Sequence, residues 1–208
     1  MSIKVVVLGA AGRTGRLIVT EALRRGHHVT AAVRNPTSLE SAPGLHVARA
    51  DVRDPDSLRQ VIEGHDAVVS AIGAPGRQAD NLYSEGGRAI VAAMYATGVK
   101  RLLAITSVGV RHDDPQHAWW YRSLIRPIGA DLYADMARME QIVRDSDLDW
   151  TFVRPTYLLD REPTGACRAV DDSTPEGGWR VTRTAVACFL VEEITAQRWS
   201  RQAPGLAE

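Results

Sequence analysis

The chain has 208 residues and carries 25 Lys and Arg against 25 Asp and Glu, for a formal net charge of zero. That length fits one domain, taken as residues 1–208, and the zero balance argues against nucleic acid as the main partner, which needs a basic face. With 45% apolar and 24% charged residues the composition is that of a soluble globular chain, able to bury a core without disulfide or metal staples.

Ile3–Leu8 is a short, β-branched, nearly all-apolar run that meets glycines, and it reads as a buried parallel strand. It is too short for a signal or a membrane span, and the residues before it form no charged leader or cleavage site, so the expected compartment is the cytoplasm, with no membrane partner. Thr14–Arg25 puts Leu17, Ile18 and Ala22 on one helical face, and Gly26 stops it. His28–Val33 and Leu45–Ala50 are the second and third strands. Asp54-Pro55 opens a helix, with Asp54 as N-cap and Pro55 at the first helical position. Ala67–Ala71 is a fourth strand. Asn81–Thr97 is a helix ended by Gly98, Arg101–Thr106 a fifth strand, Leu132–Asp145 a helix, and Thr151–Val153 a sixth strand that stops at Arg154-Pro155. The stretch from Pro155 to Gly178 is rich in Pro, Gly, Thr and Asp and reads as irregular loops on the substrate side (residues 155–180). Thr184–Thr195 is a last helix and Gln197–Glu208 a loose tail. Strands alternating with helices make βαβ units, hence an α/β fold with a Rossmann-type doubly wound parallel sheet. The two cysteines, Cys167 and Cys188, match no metal or redox spacing and read as buried or half-buried thiols in a reducing compartment; no metal site is expected.

After the first strand comes Gly9-Ala10-Ala11-Gly12-Arg13-Thr14-Gly15, a G-x-x-G-x-x-G loop that opens a helix. The first glycine suits a tight turn, the second a close approach of backbone to a pyrophosphate, and the third close packing of helix on strand. The helix N-terminus then offers unpaired N–H groups and a positive dipole end to the phosphates. The second strand ends at Arg34, about 20 residues beyond the glycines, where an NAD site would place an acid for the ribose 2′-hydroxyl. A guanidinium there suits a 2′-phosphate, so the expected cofactor is NADP. Arg13, inside the loop, can assist. Asp51-Val52, after the third strand, falls where the adenine edge should lie, and Gly73, after the fourth, lets that loop approach the cofactor.

The glycine loop resembles that of the atypical short-chain dehydrogenase/reductase group, the NAD(P)H-binding family that includes NmrA-like proteins. So do Val33-Arg34, Gly64–Val68, the Ser84–Met94 helix, Gly98-Val99, Thr106-Ser107 and Pro163–Ala166. Within that group the likeness is strongest to its biliverdin-IXβ reductase/flavin reductase branch. The resemblance implies that Gly9–Gly15 holds the pyrophosphate and Arg34 the 2′-phosphate. It also implies that Asp51-Val52 flank the adenine, that Ile72-Gly73 and Thr106-Ser107 line the ribose and nicotinamide side, and that Pro155 places the nicotinamide amide. Ser107 would face the substrate. Two positions depart from the pattern. Ser38 stands where a second arginine is expected, and Tyr157 where an active-site histidine is expected. The Tyr-x-x-x-Lys pair of the wider superfamily is missing: only two lysines occur, Lys4 and Lys100, and Tyr133 is followed four residues later by Ala137.

Without a lysine to lower its pKa, Tyr133 is a weak acid, which disfavours alcohol–ketone chemistry. It leaves room for hydride delivery to a self-activating conjugated acceptor such as a flavin, a quinone or a linear tetrapyrrole. Ser107 and Tyr157 are the residues expected to orient that acceptor or supply a proton, with Tyr133 as the other candidate. Arg111–Arg126 holds Trp119, Trp120 and Tyr121 among Arg111, Arg122 and Arg126, near the sheet edge where open α/β sheets bind ligands. An aromatic lid over a flat, acidic substrate fits this stretch; so does a peripheral helix or a subunit contact. The expected protein is an NADPH-dependent reductase acting on a small planar substrate, monomeric or a small homo-oligomer. The alternative is a non-catalytic, NADP-sensing regulator.

Overall fold

The structure is a computed structural model that describes residues 2–36, 39–40, 42–76, 78–116 and 126–208. Its first strand, β1 (Lys4–Leu8), is buried on both faces. Alternate side chains go to opposite sides, as the period of two requires. Val5 and Val7 join a core with α1 (Arg13–Arg24) and α5 (Arg183–Ala196), while Val6 and Leu8 join one with α2 (Pro55–Ile62), α3 (Leu82–Thr97) and α4 (Ala130–Arg144). Helices therefore cover both faces of the sheet.

The remaining strands are β2 (His28–Val33), β3 (Leu45–Arg49), β4 (Ala67–Ser70), β5 (Arg101–Ile105), β6 (Asp149–Pro155), β7 (Tyr157–Leu159), β8 (Arg168–Asp171), β9 (Arg180–Thr182) and β10 (Pro204–Ala207). With β1, seven of them form one eight-stranded sheet in the order β3-β2-β1-β4-β5-β6-β10-β8, parallel except for the edge strand β8. This is the doubly wound arrangement expected from the sequence. The winding reverses between β1 and β4, which opens a crevice at the carboxyl ends of those two strands. β7 and β9 pair separately as a short parallel ribbon.

Local signals explain most boundaries. Asp54 caps α2 by accepting from the Asp56 N–H at 3.1 Å, and Pro55 follows at the first helical position. Gly98 ends α3 in the left-handed conformation (φ 73°). Two expectations need correction. The stretch 155–178 is not wholly irregular: it contains β7 and β8. The tail is not loose: Pro204–Ala207 is a buried strand between β6 and β8. Pro204 is tolerated because it opens the strand. Gly205 is required because a Cβ there would lie 2.1 Å from the Ser173 carbonyl oxygen. Arg101, buried at the start of β5, donates to the Thr151 hydroxyl (2.8 Å) and the Glu193 carbonyl (3.1 Å), and Glu193 accepts from the Trp199 N–H (2.6 Å). These bonds fix the turn that leads into β10.

Cys167 and Cys188 are half-buried free thiols; burial, with Glu208 and Cys188 nearby, pushes the Cys167 thiol up to about 11. Among the described residues no helix is long and apolar enough to cross a membrane.

Candidate dinucleotide groove

The turn after β1 is built from close approaches that only glycine permits. Gly9 has φ 75°, and a Cβ there would lie 2.6 Å from the Ala71 carbonyl oxygen, so the turns after β1 and β4 touch. A Cβ on Gly15 would lie 2.2 Å from the Gly9 carbonyl oxygen, which seats α1 against the strand it follows. Gly12 is the N-cap of α1 and supplies no side-chain cap. The first-turn N–H groups of α1 are thus left for a ligand, at the positive end of the helix. A cradle this tight, closed to side chains and ending in an uncapped helix, fits a dinucleotide diphosphate.

An open groove of about 1800 Å³ runs along this edge. Of the expected cofactor residues, Gly9, Ala11, Gly12, Arg13, Thr14, Arg34, Asp51, Val52, Ile72, Gly73 and Thr106 all line it. Gly15 lies behind the loop as a packing residue. Arg34 is exposed at the end of β2 and has no hydrogen bond or ion pair among the described residues. Val52 and Ile72 come together across Gly86 of α3, where a Cβ would sit 3.1 Å from Val52 Cγ2 and 3.3 Å from Ile72 Cδ1. Gly86 is therefore the residue that lets this end of the groove close. Asp51 is turned onto its own loop, accepting from the Arg53 N–H at 3.0 Å. Arg53 pairs with Glu85 at 3.0 Å and also bonds Asp80, linking the loops after β3 and β4. Asp80 and the following Asn81 both hold positive φ, 48° and 52°.

The start of α3, which walls the groove, lacks a side-chain cap of its own. Two carboxylates on one face of α4 take that role: Asp131 accepts from the Ala79 N–H (2.7 Å), and Asp135 from those of Tyr83 (2.8 Å) and Ser84 (3.3 Å). The spacing of four, which stacks two helical side chains, is the sequence signal that could have shown this. Burial raises the pKa of the Tyr83 phenol, whose oxygen accepts from the Ala74 N–H at 3.2 Å.

Thr106 enters the groove with its hydroxyl already committed. It donates to Glu140 at 2.8 Å, and Glu140 is held by Arg154 through Nε at 3.0 Å and Nη2 at 2.5 Å. Arg154 also reaches Asp172 at 2.5 Å. Burial works against the Arg154 charge, but the bonds and attraction to Glu140 and Asp172 outweigh it and raise the guanidinium above its ordinary range. Because Thr106 spends its proton on Glu140, it can only accept from a ligand.

The expected catalytic and substrate residues are placed differently. Ser107 caps a short 3-10 turn (Val108–Val110), its hydroxyl oxygen accepting from the Gly109 N–H at 3.1 Å. Tyr133 packs against this turn; a Cβ on Gly109 would lie 2.5 Å from the Tyr133 ring. Ser107 and Tyr133 are thus brought to the same turn, and Tyr157 is not: it is 68% exposed on β7. Ser107, Tyr133, Tyr157 and the buried Pro155 are all outside the groove lining. The expected convergence of the Ser107 and Tyr157 hydroxyls on one acceptor is not formed, because Leu158, the next residue along β7, is the one that faces the groove. Arg111 bonds the Asp172 carbonyl and pairs with Asp113 at 3.3 Å. Trp119, Trp120 and Arg122 lie outside the described residues, as does Ser38. Met136, Leu158 and Arg183 are groove residues that the sequence reading missed.

A parallel doubly wound sheet with a glycine cradle at its switch point defines a dinucleotide-binding α/β protein. The NAD(P)H-binding family model matches residues 9–197, and the chain belongs to that family. An uncharacterized chloroplastic protein of Arabidopsis thaliana is 32% identical over 215 residues, covering 95% of this chain and 74% of the relative. Among solved structures, a short-chain dehydrogenase/reductase of Veillonella parvula in complex with NADP has a TM-score of 0.80 at 19% identity, covering 100% of this chain and 95% of the other. A putative NADH-flavin reductase of Streptococcus pneumoniae has a TM-score of 0.79 at 24% identity, with full coverage of both chains. At those identities the two structures speak to the fold.

Proposed function

We propose that this protein is an NADPH-dependent reductase that delivers a hydride to a planar conjugated acceptor: a flavin, a quinone or a linear tetrapyrrole. When bound, the nicotinamide supplies the hydride and so the hard chemistry. The chain's own residues bind, orient and exclude water. Arg34, exposed and unpaired among the described residues, is the group that favours the 2′-phosphate. The observation that carries the choice of acceptor is the wall of the groove beyond the glycine loop. Ile105, Met136 and Leu158 make it apolar, and Ala137 stands where a lysine would activate Tyr133. Such a wall suits stacking of a flat ring system, and the chain has no Tyr-x-x-x-Lys pair to serve as the activated acid of ketone reduction. The likeness to a putative flavin reductase agrees with this reading. The proposed compartment is the cytoplasm, where two unpaired thiols persist.

The test is NADPH oxidation at steady state with flavins, quinones and linear tetrapyrroles, set beside simple ketones and aldehydes. Turnover is expected with planar acceptors alone. Tyr157→Phe should leave turnover within about twofold, since the ring is exposed outside the groove. Ser107→Ala, which frees the turn beside Thr106, should lower it about tenfold, the worth of one hydrogen bond to a key segment. Ketone reduction at comparable rates, or a tenfold loss in Tyr157→Phe, would contradict the proposal. One observation favours the second reading, an NADP-sensing regulator. Ser107 Oγ accepts from the Gly109 N–H of its own turn and Tyr157 is 68% exposed on β7, so neither of these two residues is in the groove lining. That reading wins if no acceptor is reduced while NADPH alters association with a partner protein.

A further inference from the structure

One carboxylate sits between two arginines at the mouth of the glycine loop. Asp160, just past β7, accepts from Arg13 through Oδ2 and from Arg183 through Oδ1, each at 2.8 Å. Arg13 and Arg183 both line the groove beside Gly12 and Thr14. The two arginines differ in freedom. Arg13 is 73% exposed, a long side chain at the first position of α1 that reaches over solvent. Arg183 is 11% exposed and fixed at the first position of α5, whose start is capped by the Thr182 hydroxyl. Neither position serves helix stability. Arg13 and Arg183 each open a helix with no acidic residue in its first turn, where the helix dipole disfavours a cation. Two guanidiniums against one carboxylate leave the cluster with a net charge of about +1, in a groove whose floor is already an anion cradle.

We propose that Asp160 is a displaceable counter-ion, and that Arg183 is a diphosphate contact on the wall facing the glycine loop. On this view the dinucleotide's diphosphate takes Arg183, and with it Arg13, away from Asp160. The β7 end and the start of α5 then clasp the ligand against Gly12. The carboxylate holds both arginines in place before binding and competes with the phosphates for them, so it trades affinity for exchange of the cofactor. The proposal rests on the NAD(P)H-binding reading of the groove, and it adds a contact that the glycine loop does not supply.

The experiment uses two ligands and the whole chain. NADPH carries a diphosphate; adenosine 2′-phosphate carries the adenosine and the 2′-phosphate without one. Arg183→Gln should raise the Kd for NADPH about tenfold to a hundredfold, as expected for loss of a charge-assisted bond, and leave adenosine 2′-phosphate within about twofold. Arg183→Lys should retain part of the affinity. Asp160→Asn should tighten NADPH binding and slow its release in stopped-flow displacement, with adenosine 2′-phosphate again unmoved. Melting midpoints and circular dichroism establish that each variant is folded; if Arg183→Gln is not, Arg183→Lys and Asp160→Asn decide. An unchanged NADPH Kd in Arg183→Gln, an equal loss for both ligands, or weaker NADPH binding in Asp160→Asn would each overturn the proposal. If the unmodified protein binds neither ligand, the dinucleotide reading of the groove falls with it.

Discussion

Gly12→Val should give a folded protein that has lost NADPH affinity by more than about a hundredfold. Gly12 has φ −71° and ψ 164°, an extended conformation that valine adopts readily. A Cβ there would lie 3.2 Å from the Gly9 carbonyl oxygen, tight enough to need a small adjustment, and beyond its chain neighbours no other described residue lies within 4 Å of it. The side chain would instead stand in the groove, over the uncapped first turn of α1. It would fill the space that phosphate oxygens need and screen the N–H groups meant for them. Gly15→Val is the contrasting change. Its Cβ would meet the Gly9 carbonyl oxygen at 2.2 Å and Ala10 Cα at 2.9 Å, so it should fail to fold rather than fail to bind. Cofactor titration beside circular dichroism separates the two outcomes. Unaltered binding in a folded Gly12→Val variant would show that the loop is only a turn.

Arg154→Leu should cost about 3–5 kcal/mol of stability, because it strands a buried carboxylate. Glu140 is 3% exposed, and Arg154 makes both of its strong ionic bonds; what remains is the Thr106 hydroxyl and Arg144 at 3.5 Å. In a chain of this size the melting midpoint should fall by roughly 10 °C or more. Replacing both partners, Glu140→Leu with Arg154→Leu, should recover much of the loss, since an apolar pair of similar volume leaves no buried charge unpaired; Asp172 and Arg144, which lose a partner, are both solvent-accessible. Differential scanning calorimetry of the two single variants and the double variant reads this directly. A double variant less stable than the sum of the singles would contradict the expected coupling. Thr106 provides a second readout: once Glu140 is gone its hydroxyl is free to donate into the groove, so NADPH affinity should change in Glu140→Leu even where the fold survives.

Local chemistry made half of this fold legible from sequence. The glycines after β1, Asp54-Pro55 before α2 and Gly98 after α3 each act through their own backbone or the next few residues, and the structure bears out those turns, caps and stops. The first half of the groove was legible for the same reason, since Arg34, Asp51-Val52 and Ile72-Gly73 follow strand ends directly. What stayed hidden is what distant segments contribute. Pro204-Gly205 reads as a breaker, yet it becomes a buried strand because β6 and β8 supply partners and Ser173 leaves no room for a side chain. Leu158 and Arg183 face the glycine loop only because β7, β9 and the start of α5 fold back across it. The Glu140–Arg154 pair joins a helix to a strand through charges that, read singly, look like solvated residues. The Ser107–Tyr157 expectation rested on chain position after two strands. A one-residue difference in facing direction along β7 is enough to put Leu158, and not Tyr157, into the groove.

Selection of NADPH by Arg34 is the claim on which cofactor, groove and reaction all depend. The most direct measurement is the Kd of the unmodified protein and of Arg34→Ala for NADPH and NADH, by titration at one fixed ionic strength. The unmodified protein should prefer NADPH, and Arg34→Ala should remove about tenfold to a hundredfold of that preference, the worth of one charge-assisted contact to the 2′-phosphate, while NADH binding stays within about twofold. Equal affinity for the two cofactors in the unmodified protein, or a preference that survives Arg34→Ala intact, would contradict it.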